Sequence, residues 1–248
     1  MKEYDAELTL SLKSKTLLTG PSGTGKTTLA RGSADALSRK LGEEVYFVEI
    51  GFTRSRYLGE SSKNITKAFN QVREWASKRP VVFFLDECDT VASTRAFEQQ
   101  HEDVRASVNI LIKELDKISP SDRIYILAAS NLESHIDIAV KRRFDQIIRF
   151  ERPSYEQRLS LFKRDLSPFS KELHDNGIDD KGIIELARKT EGYTQADIKN
   201  LVTNAIARAV FKNRSLTMEH LLSVLETMKP TNDYDMSGSK DLSALRQR

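Results

Sequence analysis

The residues best suited to chemistry lie in Gly20-Pro21-Ser22-Gly23-Thr24-Gly25-Lys26-Thr27. This run matches G-x-x-x-x-G-K-[ST] and sits between a β-like stretch and a helix-like stretch. Glycines at this spacing let backbone N–H groups curl around a phosphate, and the following helix adds its partial positive charge. Lys26 supplies a point charge for β- and γ-phosphates, and the Thr27 hydroxyl can ligate Mg²⁺. Pro21, Ser22, Gly23, Thr24, Gly25, Lys26, Thr27 and Thr28 are therefore expected to contact a nucleoside triphosphate. A second string, Val81-Val82-Phe83-Phe84-Leu85-Asp86-Glu87, is an apolar strand ending in two carboxylates. Asp86 can hold the Mg²⁺ shell, and Glu87 can orient or deprotonate an attacking water. Cys88 beside them reads as a small apolar filler rather than a nucleophile.

Positioning such groups calls for a parallel sheet, and the pattern supplies one. Strands are expected at Thr16–Thr19, Val45–Ile50, Val81–Leu85, Ile124–Ala129 and Gln146–Phe150. Lys26–Leu41, Ser61–Ser77 and Asp103–Lys117 carry apolar residues at three and four spacing and read as helices. From about Ser167 no strand follows; Ile178–Thr190, Thr194–Lys212 and Thr217–Met228 all read as helical. The expected organisation is an α/β body over 1–165, a small helical lid over 166–229 and a tail over 230–248.

Composition narrows the class. Hydrophobic residues are 39% and charged residues 30%, with a formal net charge of +3, enough for a core and without a strongly basic surface for nucleic acid. The longest apolar runs are too short to span a bilayer, and the N-terminus lacks the apolar stretch of a secretory signal. The single cysteine, Cys88, cannot form an internal disulfide, which fits a reducing compartment, and a cytoplasmic location is expected. His101, His135, His174 and His220 have no metal-ligand spacing.

Taken together, the motifs resemble the AAA+ ATPases, in the AAA subgroup proper, over nearly the whole chain. Gly20–Thr27 resembles their G-P-P-G-T-G-K-T with Ser22 for the second proline, and Leu85-Asp86-Glu87-Cys88-Asp89 resembles their D-E-x-D. Ile126-Leu127-Ala128-Ala129-Ser130-Asn131 is similar to the sensor-1 strand, and Ala139-Val140-Lys141-Arg142-Arg143-Phe144-Asp145 to the arginine-finger segment. Gly192-Tyr193-Thr194-Gln195-Ala196-Asp197-Ile198 resembles the G-x-S-G-A-D-I lid motif. The resemblance implies the P-loop AAA+ fold, ATP and Mg²⁺ as cofactors, and Asn131 as the residue that helps place the lytic water. It also implies that Arg142 and Arg143 reach the γ-phosphate of a neighbouring subunit, so that hydrolysis needs a homo-oligomeric ring, commonly a hexamer.

Ser55-Arg56-Tyr57-Leu58-Gly59-Glu60-Ser61 resembles the family's pore loop. Tyr57, Leu58 and Gly59 would then grip a threaded polypeptide, or Tyr57 packs under its own loop. Arg95–Asp103 reads equally as a second pore loop or as a solvated turn.

Three departures stand out. Only the residues before Thr16 precede the first strand, where the family places a longer segment covering adenine. Lys141 stands where many relatives have arginine. Thr194-Gln195 replaces the usual small pair of the lid motif. The function expected is ATP hydrolysis coupled to remodelling, unfolding or translocation of a protein, with target choice in an N-terminal domain or adaptor not visible in this sequence. Two alternatives stay open: a nucleic-acid motor, suggested by the helicase-like Asp86-Glu87-Cys88-Asp89, and a nucleotide-gated assembly or clamp-loading module that does not thread. The motifs do not separate HORMA-domain remodellers from microtubule severers.

Overall fold

In the run Val81–Leu85, side chains point alternately to two apolar layers. Val81, Phe83 and Leu85 join one cluster, and Val82 and Phe84 join another. A strand covered on both faces reads as an unbroken apolar run, and this one is the buried heart of a parallel sheet. The computed structural model describes residues 14–51, 60–92, 102–169 and 179–231. It divides into two units, Met1–Glu151 and Arg152–Arg248.

The first unit holds five parallel strands: β1 (Lys15–Thr19), β2 (Tyr46–Gly51), β3 (Val81–Asp86), β4 (Ile124–Ser130) and β5 (Gln146–Arg149). Their order in space is β2-β3-β4-β1-β5. Helix α1 (Lys26–Leu41) covers one face, burying Ala30, Ala34 and Leu37 against Leu18, Val82, Phe84 and Leu127. Gly42 in the left-handed region ends it, its N–H returning to Ser38 O at 3.0 Å. On the other face, α2 (Glu60–Ala76) and α4 (Glu102–Asp116) bury Ile65, Phe69, Val72, Val108, Leu111 and Leu115 against Leu17, Phe83 and Ile126. Phe69 and Phe83 meet edge to face at 5.1 Å. The one-turn helix α3 (Asp89–Ala92) follows β3, and the similarly short α5 (Ile138–Lys141) starts at Asp137, whose carboxylate caps Ala139 N–H at 2.7 Å.

The second unit is helical in its described residues: α6 (Tyr155–Leu166), α7 (Asp180–Lys189), α8 (Gln195–Phe211) and α9 (Met218–Thr227). Phe162, Leu166, Leu186, Tyr193, Ile198, Leu201, Ala205 and Leu221 form its core. Ser154 and Gln157 form a capping box at the start of α6, and Thr194 and Asp197 form another at the start of α8. Thr231 Oγ1 donates to Asp197 Oδ1 at 2.6 Å, and Tyr193 Oη donates to Met228 O. Arg152 donates to Gly192 O and to Thr231 O.

The expected strands and helices are present within a residue or two of their predicted bounds. The division is not where the sequence placed it: it falls after Glu151 rather than after residue 165. The reason is α6, whose Leu161, Phe162 and Leu166 belong to the helical core and whose buried Arg158 donates to Pro153 O and Ala187 O. Among the described residues no helix is long and apolar enough to cross a membrane.

Between α2 and α4 lies a buried carboxylate, Glu114, 3% exposed, which accepts from Arg73 and from Lys117. Burial disfavours its charged form, but the hydrogen bonds from Lys117 and Arg73 outweigh that and hold its carboxyl below the ordinary value. A depressed value means that the stabilisation is present at neutral pH and is lost as pH falls through the folded value. Arg73→Leu should therefore lower stability at pH 7 by about 1–3 kcal/mol and move the acid-unfolding midpoint to higher pH, as checked by urea melts across pH.

Candidate active site

Strand β1 ends at Thr19 between β4 and β5, and the loop 20–25 begins there. Thr19 O accepts from Phe150 N–H at 2.7 Å, which brings the chain after β5 against Gly20. Gly20 has φ 135°, and a Cβ on it would lie 2.2 Å from Phe150 O. Only glycine fits this exit from the sheet. Gly23 and Gly25 also take positive φ, at 76° and 99°. Thr24 Oγ1 closes the loop on Pro21 O at 2.8 Å.

Gly25 is the N-cap of α1 and makes no side-chain cap bond, and no acidic residue stands in the first turn. No carboxylate of the helix's own first turn competes with an anion there. Lys26 is 7% exposed, and its ammonium lies 2.7 Å from Gly20 O, 2.8 Å from Pro21 O and 2.8 Å from Asn131 Oδ1. Thr27 Oγ1 points at Asp86 Oδ2 at 3.4 Å, joining α1 to the end of β3. Thr28 and Ser22 are exposed.

Glu87 follows Asp86 with φ 50°, an uncommon value for a non-glycine residue, and is exposed. Its N–H is held by Asp86 Oδ1 at 2.9 Å, and the next N–H, of Cys88, by Ala129 O at 2.9 Å. A strained turn over-determined by neighbours is a common way to aim a functional side chain. Cys88 is fully buried, and burial first and the Asp89 and Asp86 charges second push its thiol far up, so it carries no thiolate chemistry.

The structure thus brings Lys26, Thr27, Asp86 and Asn131 together along the C-terminal ends of β1, β3 and β4, with Glu87 beside them. The two arginines of the finger segment differ. Arg143 is tied within its own chain, Nε 3.1 Å and a terminal nitrogen 3.4 Å from the Asp116 carboxylate, with a further bond to Ala139 O. Arg142, immediately after α5, is exposed. Tyr57, Leu58 and Gly59 lie outside the described residues, as does most of 95–103.

The sequence singled out neither Glu133 nor Arg149. Glu133 opens a single 3₁₀ turn two residues after Asn131, and both its oxygens receive Arg149 from β5 at 2.8 Å. The Arg149 fork, chiefly through its hydrogen bonds, holds the Glu133 carboxyl below the ordinary value. Thr19 Oγ1 donates to the same carboxylate at 3.0 Å. The only sequence signal would have been the facing of Thr19 and Arg149 across β1 and β5, which needs the strand order.

The protein-family model described as ATPase family associated with various cellular activities (AAA) matches residues 16–152. The chain belongs to the AAA family of ATPases. Cell division protein C of Sulfolobus acidocaldarius is 34% identical over 230 residues, covering 87% of this chain and 58% of that protein. The proteasome-activating nucleotidase of Archaeoglobus fulgidus is 32% identical, covering 95% of this chain and 58% of that protein. A katanin p60 ATPase-containing protein of Rattus norvegicus is 32% identical, covering 89% of this chain and 44% of that protein. Among solved structures, a chain of the E. coli MS115-1 HORMA:CdnC:Trip13 complex superposes with TM-score 0.76 and 28% identity, over 91% of this chain and 78% of that one. The chain spans between 44% and 58% of the length of these three curated relatives. Its five-stranded parallel sheet is that of the AAA+ fold.

Gly20→Ala tests the exit from β1. It should destabilise the chain by about 2–4 kcal/mol, from backbone strain and the Phe150 clash together, and weaken nucleotide binding. Urea melts with and without nucleotide read both effects.

Proposed function

We propose that this AAA ATPase hydrolyses ATP with Mg²⁺ at the ends of β1, β3 and β4, and that it does so within a homo-oligomeric ring that remodels a polypeptide. The observation that carries the reading is the meeting of Lys26, Thr27, Asp86 and Asn131 beside an uncapped helix start and the exposed Glu87. In that reading the backbone of Pro21–Gly25 and the first turn of α1, including Thr28, cradle the phosphates, and Lys26 neutralises their charge. The Thr27 and Asp86 oxygens suit Mg²⁺, which takes few protein ligands and shares phosphate oxygens. The bound ion would supply charge neutralisation on the β- and γ-phosphates. Glu87 takes the proton of the lytic water, and Asn131 orients that water while bonded to the same ammonium that meets the γ-phosphate.

Arg142 is the finger offered to the neighbouring subunit, since Arg143 is engaged with Asp116 and serves to hold the segment. Tyr57, Leu58 and Gly59 would grip the substrate. Support for a protein substrate comes from similar proteins that carry the names proteasome-activating nucleotidase and katanin, and from a structural neighbour taken from a multiprotein complex.

Glu87→Gln should bind ATP, slow turnover by about 10²–10⁴-fold and accumulate as an ATP-dependent oligomer that retains a polypeptide. Light scattering with mass spectrometry of the trapped material checks this; an ATP-bound variant that stays monomeric overturns the ring. Arg142→Ala should cut ATPase by about 10³-fold or more with nucleotide binding unchanged, and mixing it with Lys26→Ala protomers should restore activity to mixed rings. Arg143→Ala should not be rescued by mixing, because its partner is in its own chain.

A further inference from the structure

Three residues stand level at the C-terminal edge of the sheet. Ser130 of β4 and Arg149 of β5 each face Thr19 of β1 in register. Over that edge folds the turn that carries Asn131 and Glu133. Its geometry is pinned at both ends. Ser130 Oγ accepts Leu132 N–H at 3.0 Å, and the Glu133 carboxylate takes Thr19 Oγ1 at 3.0 Å and the Arg149 fork at 2.8 Å on each oxygen. One carboxylate therefore ties the start of the phosphate loop, the turn after β4 and the outer strand β5. Between its two anchor points lies Asn131, whose side chain meets Lys26 at 2.8 Å.

The arrangement is poorly suited to being merely a stabilising ion pair. The Arg149 side chain is 65% exposed, and pairs open to water add little to folding. What the fork does provide is direction. A bidentate guanidinium holds a carboxylate in one plane and orientation, and the Thr19 hydroxyl fixes which oxygen faces the phosphate loop. Thr19 is 1% exposed and immediately precedes Gly20, whose position is already dictated by Phe150. The Glu133 end of the turn is thus referenced to the buried, sterically restricted exit from β1.

We infer that Glu133, held by Arg149, is a positioning residue for hydrolysis: it sets Asn131 at the phosphate loop by fastening the turn to Thr19. This rests on the reading of Gly20–Thr27 and Asn131 as the ATP-hydrolysing site. No bond to nucleotide is assigned to Glu133, and its effect passes entirely through Asn131. Loss of Glu133 should therefore reduce the chemical step and leave nucleotide affinity nearly alone, because the loop glycines and Lys26 remain.

The test is a double-mutant cycle on the full chain, with steady-state ATPase, ATP affinity and thermal midpoint measured for each variant. Glu133→Ala should lower kcat by about 10–100-fold, the range expected of a misplaced group near the reacting atoms, with KM changed less than about threefold. Glu133→Gln keeps an acceptor for Thr19 and should retain more activity than Glu133→Ala. Arg149→Gln should fall on the same side, with a smaller loss. In an Asn131→Ala background, Glu133→Ala should cost less than about twofold more, since residues acting as one unit are not additive. Full additivity of the two losses, or a kcat per folded enzyme equal to wild type, overturns the inference. Failure of the site reading looks different: Lys26→Ala and Asn131→Ala would then leave ATPase intact.

Discussion

A buried cation organises this molecule's chemistry. Lys26 is almost sealed from water, so its ammonium needs oxygens around it, and the fold brings them from two places distant in sequence: the carbonyls of Gly20 and Pro21, and the side chain of Asn131. The requirement explains much of the local structure. The loop must double back so that its own carbonyls face the helix it opens, which is why glycines occupy its left-handed corners. The turn after β4 must come alongside, which places β4 next to β1 and gives the strand order its centre. In the proposed function nucleotide phosphates address the same charge, so the group that organises the local fold is also the one assigned to the reaction.

Much of this was legible in the sequence because the signals are local. The Gly20–Thr27 run is eight contiguous residues, and β3 is a buried strand whose two-faced burial erases any polar alternation. The helix Lys26–Leu41 begins and ends at the predicted residues because Gly25 and Gly42 mark its limits chemically. What stayed hidden was non-local. Glu133 and Arg149 lie on either side of α5, and neither has a motif around it; they matter only once β5 is laid beside β1. The domain boundary was misplaced for a related reason. The amphipathic pattern of Tyr155–Leu166 says helix, but says nothing of which core its apolar face joins.

The two finger-segment arginines show how packing divides adjacent residues of one type. The segment's sequence treats Arg142 and Arg143 alike. In the fold, the capping Asp137 starts α5 so that Arg143 turns back to Asp116 at the end of α4, while Arg142 emerges into solvent. The first arginine keeps the rotamer freedom a flexible side chain needs to reach outward, and the second gives up that freedom to steady the segment.

In the helical unit, Thr231 is bonded to Asp197, the carboxylate that also caps the first turn of α8 within the Gly192–Ile198 motif. Mechanically, this makes the start of α8 an anchorage. Thr231 is held there by two hydrogen bonds to one carboxylate and by Arg152 on its carbonyl oxygen, so its contacts are with the helix start. The chain that follows Thr231 thus leaves from a residue bonded directly to the Gly192–Ile198 motif.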